Sequence, residues 1–108
     1  MSRKQVIICA ENMQKVYTGI EGYRAERDGN YPKQLTDLER YLYDINEIYC
    51  PMMLKRGIER EYIFTPDDEI ILTCTAHKRG NVEIKNNGKI VIENLTIKSL
   101  RRWMKNEQ

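Results

Sequence analysis

The sequence predicts an α+β fold, a long N-terminal helix packed on a three- or four-stranded antiparallel sheet, with a short second helix and a short C-terminal helix. Three observations carry this. Apolar residues recur at helical spacing from Val6 to Tyr23, the period drops to two near residue 60, and an Asn-Gly pair joins two late β-rich runs. Helical and strand patterns are segregated rather than alternating, which argues against parallel βαβ units. At 108 residues the chain makes one domain, with one modest core over residues 1–108.

The first helix is expected over residues 4–27. Val6, Ile7, Ala10, Met13, Val16, Tyr17, Ile20 and Tyr23 fall on one stripe, and Lys4, Glu11, Lys15, Glu21 and Arg24 fall opposite. Met13, Val16, Tyr17, Ile20 and Tyr23 form the part of the stripe long enough to cover a sheet. Gly19 and Gly22 each weaken the helix by roughly 1 kcal/mol relative to Ala, and they would permit close approach of another element. Asp28-Gly29-Asn30 ends the helix, because Gly takes the left-handed position there without strain. Pro32 holds Tyr31 extended.

Thr36-Asp37-Leu38-Glu39 fits a capping box opening a short helix at 36–43, with Leu35, Leu38, Tyr41 and Leu42 as its apolar face. Residues 44–51 read as loop, with a short strand at Ile48-Tyr49. Strands are expected at about 60–65, 69–75, 81–85 and 89–93. Pro66-Asp67-Asp68 turns between the first two, and Asn86-Asn87-Gly88 between the last two. In the tail, residues 96–108, Ile97, Leu100, Trp103 and Met104 have helical spacing.

Composition narrows the function. Eighteen basic against 16 acidic residues leave a net charge of +2, too balanced for a dedicated nucleic-acid binder. The basic stretch Arg101, Arg102, Lys105 around Trp103 then reads as a solvated face with one core anchor. No apolar run approaches the roughly 18 residues of a membrane span. The chain has no nucleophile elbow, phosphate loop, dinucleotide fingerprint or zinc-protease motif, so no catalysis and no cofactor are expected. Asp67, Asp68 and Glu69 make a short acidic turn rather than a converging calcium loop.

Three cysteines remain. Cys50 opens a Cys-Pro turn and Cys74 lies in the strongest strand pattern, so either one disulfide or two buried thiols fits the spacing. A Cys50–Cys74 bond would close a loop of about 24 residues and contribute on the order of 3 kcal/mol. Cys9, Cys50, Cys74 and His77 are also of the types that bind zinc. Structural zinc sites usually come as two close pairs, and here only Cys74-x-x-His77 is close, so the spacing favours disulfide or thiol over metal.

The run from Cys9 through Asn12, Met13, Val16, Gly19 and Ile20 to Tyr23, the turn Gly29-Asn30-Tyr31-Pro32, and Leu35 with Asp37-Leu38 resemble the type IV pilin and type II secretion pseudopilin superfamily. Tyr49-Cys50-Pro51, Tyr62 and Leu72-Thr73-Cys74 followed by His77 extend the resemblance over most of residues 9–77. It implies a headgroup that acts by protein–protein assembly with other pilin or pseudopilin subunits or with copies of itself. It also implies a Cys50–Cys74 staple, Tyr31-Pro32 as the family turn, and an extracytoplasmic location. The family's basic leader and apolar helix half have no counterpart here, so the chain is expected to be the soluble domain, with membrane contact only through that missing segment. The alternative is a small cytosolic binding module contacting nucleic acid or a structural zinc through its basic tail or its Cys/His set.

Overall fold

The structure, a computed structural model, describes residues 3–77 and 81–92. Helix α1 (Arg3–Glu26) is followed by two 3-10 segments (Leu35–Tyr41 and Ile45–Ile48) and a single helical turn, α2 (Pro51–Leu54). Four strands follow among the described residues: β1 (Ile63–Phe64), β2 (Ile70–Cys74), β3 (Val82–Lys85) and β4 (Ile90–Ile92). They form one antiparallel sheet in the order β1-β2-β3-β4, so every connection between strands is local. This is the expected α+β arrangement. The expected C-terminal helix and residues 78–80 lie outside the described residues.

Helix α1 lies against β3 and against the 3-10 segments, and its buried face is the centre of the core. Met13, Val16 and Ile20 are fully enclosed, whereas Tyr17 and Tyr23 sit at the margin of the stripe. Their phenol ends explain this. Tyr17 donates to the Asn86 carbonyl at 3.1 Å, and Tyr23 stacks edge-on against Tyr41 with ring centres 5.8 Å apart. Towards the start of α1 the expected stripe holds at Val6 and Ala10 and departs at one position. Ile7 is exposed, and Cys9 shares the buried face with Val6 and Ala10.

Gly29 closes α1 as expected, with φ +83° and its amide donating to the Arg24 carbonyl at 2.8 Å. Pro32 is buried in the turn that follows, and Tyr31 packs between Phe64 and the Arg24 guanidinium. The second helix departs from expectation. It is a 3-10 segment whose N-cap is Gln34, without a side-chain cap bond. The capping box forms later, at Asp44, whose carboxylate accepts from Asn46 while Glu47 reaches back to the Asp44 amide at 2.8 Å.

Past this box the chain makes the turn Ile45–Ile48 and one bridge, Tyr49 to Glu61, rather than a short strand at Ile48-Tyr49. The bridge is flanked by Cys50 N–H to Arg60 at 2.9 Å and Tyr62 N–H to Ile48 at 3.0 Å. A small ladder therefore holds residues 48–50 beside 60–62. Strand β2 carries a register shift between Ile70 and Leu72, which lets the adjacent residues Ile71 and Leu72 both be buried.

Candidate metal centre

The three thiols and the single histidine arrive from separate elements. Cys9 projects from the buried face of α1, two turns from its start. Cys50 is the N-cap of α2. Pro51 follows it at the first helical position, and the Cys50 carbonyl accepts from Met53 and Leu54 at 3.1 and 2.9 Å. Cys74 ends β2 opposite Val82. His77 lies three residues beyond and is only 5% exposed.

One ligand atom from each of Cys9, Cys50, Cys74 and His77 lies within 4.8 Å of every other, and all four residues are buried. Cys9 Sγ is 4.0 Å from Cys50 Sγ. Four sulfur or nitrogen ligands around zinc at about 2.3 Å would sit about 3.8 Å from one another at the corners of a tetrahedron. The set is thus within about an ångström of the spacing a tetrahedral ion requires.

The expected Cys50–Cys74 disulfide is not formed, and all three cysteines are free. A disulfide would bring two sulfurs to about 2.05 Å and leave the third sulfur and the imidazole crowded beside it. The physical reason the spacing argument missed this is Cys9. Its position on the buried helix face brings a third sulfur and, through the fold, the imidazole to the Cys-Pro turn.

Among the described residues neither buried ring nitrogen of His77 has a hydrogen-bond partner of good geometry, and its contact with the Cys50 sulfur helps hold that thiol down. Leaving such a group unsatisfied costs about 1–3 kcal/mol, so a ligand at one nitrogen would remove a penalty the fold otherwise carries. The thiols are crowded in the same way. Hydrogen bonds to Cys50 and Cys74, with burial, push the Cys9 thiol up. Cys74 is pushed up to about 11, chiefly by its bond to Cys50. Cys50 is driven down because both other thiols donate to it. Thiolate and imidazole ligands of this kind suit zinc.

Two neighbours border the cluster. Tyr62, 3% exposed, places its hydroxyl 3.5 Å from Cys9 Sγ. Asn12, one turn along α1 from Cys9, gives its amide nitrogen to the Glu47 carbonyl at 2.7 Å, the Tyr49 carbonyl at 3.3 Å and the Tyr62 hydroxyl at 2.9 Å. Both are residues of the pilin-like pattern. No chemistry in the sequence marked them as neighbours of a ligand, because the contacts span 35 to 53 residues.

The other sequence-predicted positions lie away from the ligands. Tyr17 bonds the hairpin turn, Tyr23 the Tyr41 ring, and Tyr31-Pro32 the end of α1. A groove of about 530 Å³ is lined by Lys15, Thr18, Tyr41, Leu42, Tyr43, Asp44 and Glu47. It includes the Lys15–Glu47 ion pair at 3.8 Å and sets no nucleophile beside a base. Among the described residues no helix is long and apolar enough to cross a membrane. Compared with known proteins, the chain matches no family model, no curated sequence and no solved structure.

Proposed function

We propose that the chain is a small interaction domain built around a structural zinc ion held by Cys9, Cys50, Cys74 and His77. The observation that carries this is the convergence of four buried soft ligand atoms within 4.8 Å, one of them on an imidazole with no other partner. Three thiolates and one imidazole form a closed set, leaving no position for a reacting water, so the ion serves the fold rather than catalysis. The domain then acts through its surface and not as an enzyme. Zinc fits this donor set better than magnesium or calcium, which take oxygen ligands.

The test is elemental analysis of the protein purified from zinc-supplemented cells without chelator, with Co²⁺ substitution as its spectroscopic counterpart. One zinc per chain and the intense sulfur-to-cobalt charge-transfer absorption of a tetrahedral thiolate site are expected. A protein that holds neither metal after reduction of its thiols sinks the assignment.

A second reading keeps the pilin-like headgroup, assembling with other pilin or pseudopilin subunits on the extracytoplasmic side. It is favoured by a long helix laid on an antiparallel sheet, with Asn12 and Pro32 turned into the structure. In that setting the four-ligand centre takes the clamping role that the resemblance assigns to a disulfide. Thiol titration under denaturing, non-reducing conditions separates the two clamps. Protein matured in an oxidising compartment gives three thiols if metal protects them, and one thiol if a disulfide forms.

A further inference from the structure

Cys9 differs from the other proposed ligands in having a phenol at its sulfur. Tyr62 and Cys9 are 3.5 Å apart, and by distance alone either could donate. Asn12 decides between them. Its terminal nitrogen faces two backbone carbonyls, Glu47 and Tyr49, which can only accept, so the atom there is the amide NH₂ and not the oxygen. The same nitrogen lies 2.9 Å from the Tyr62 hydroxyl, which therefore accepts from Asn12. The phenolic hydrogen is left for another acceptor, and among the described residues that is Cys9 Sγ.

The backbone fixes this chain of donors. Tyr62 sits on the ladder that also holds Cys50, through Tyr62 N–H to Ile48 and Cys50 N–H to Arg60. Asn12 sits three residues from Cys9 on the same helix, so Asn12, Tyr62 and Cys9 close a ring between α1 and the ladder. Three thiolates on a divalent cation carry a net charge of −1, and in a buried site that excess must be met by hydrogen-bond donors.

We propose that Tyr62, oriented by Asn12, is a positioning residue of the metal centre, donating its hydroxyl hydrogen to Cys9 Sγ and so strengthening retention of the ion. This rests on the zinc assignment above and adds to it a residue that touches a ligand and not the metal. Partners of this kind typically contribute 10–100-fold to metal affinity.

The experiment compares the full chain with Tyr62→Phe, which keeps the ring and removes only the hydroxyl. Zinc affinity is measured by competition with a chromophoric chelator, and the Co²⁺ forms are compared by absorption. Tyr62→Phe is expected to bind zinc 10–100-fold more weakly and to move the sulfur-to-cobalt band to lower energy, since a sulfur that has lost a donor is easier to oxidise. Equal affinity with an unmoved band overturns the role of Tyr62 and leaves the zinc centre standing. Absence of any thiolate–cobalt band in the unaltered chain overturns the zinc centre itself. Should the variant fail to fold, the unaltered zinc-loaded chain still decides by nuclear magnetic resonance. A slowly exchanging Tyr62 hydroxyl proton close to the Cys9 methylene is expected. Exchange as fast as that of the fully exposed Tyr43 hydroxyl overturns the proposal.

Discussion

His77 sits inside the protein in company with three sulfurs, and among the described residues neither ring nitrogen has a well-formed hydrogen bond. In the metal-free chain that arrangement is a cost, and with a cation it becomes a bond. His77→Leu separates the two states. Leucine fills a comparable volume and asks for no partner, so the variant, measured by urea denaturation in excess chelator, is expected to be more stable than the parent by about 1–3 kcal/mol. With zinc added the order reverses, because the parent gains the ion and the variant does not. A variant less stable than the parent in chelator would mean that the imidazole already has a partner. Of these residues the sequence disclosed the types but not the company. Cys74 and His77 are three apart and read as a pair, whereas Cys9 and Cys50 are 41 residues away from each other. Only the angle at which α1 meets the Cys-Pro turn decides that they touch. That angle depends on which helix face is buried, and Cys9 takes the place that Ile7 was expected to hold.

Whole elements were more legible than the contacts between them. The helix, its glycine stop, the four strands and both turns follow from local chemistry, since period, φ preference and turn residues act within a few positions. The second helix was not legible in type. Thr36 had the spacing of a capping residue, but Asp44 and Glu47 hold the box, and competing Ser/Thr/Asp caps cannot be ranked without knowing which backbone amides the fold leaves open. The hairpin between β3 and β4 shows how an element is tied to the rest. Gly88 has φ +87°, its amide donates to Lys85 at 2.8 Å, and a methyl group there would come within 3.1 Å of the Tyr17 ring. Gly88→Ala therefore meets two penalties, a left-handed backbone and a displaced tyrosine that also bonds Asn86. A loss of about 1–2 kcal/mol is expected from the backbone effect alone, read from the midpoint of chemical denaturation with an unchanged slope. Asn87→Gly, which frees the neighbouring turn residue without adding a side chain, is expected to cost less than half of that.

At the scale of the molecule, the four proposed ligands join parts that otherwise meet through apolar packing and a few polar contacts, chiefly those of Asn12 and Tyr17. Cys9 belongs to the helix, Cys50 to the loop layer, and Cys74 and His77 to the sheet end. A domain of 108 residues has a small core, so a tie between three segments is a large share of its stability. An ion that binds the folded chain and not the unfolded one adds about 4.1 kcal/mol when present at 1,000 times its dissociation constant. For a domain near this size each kcal/mol moves the midpoint by about 4–8 °C, so saturating zinc is expected to raise Tm by roughly 16–33 °C over the chelated protein. Differential scanning calorimetry with a zinc-buffered series checks this, and the midpoint should climb with the logarithm of free zinc once the site is saturated. Because a closed set of three thiols must shed its protons to take the ion, the same series run at lower pH should show a smaller rise at equal free zinc. A midpoint indifferent to both zinc and chelator would leave the helix held by the packing of Met13, Val16 and Ile20 and the hydrogen bonds of Asn12 and Tyr17, with the buried sulfurs as mere packing.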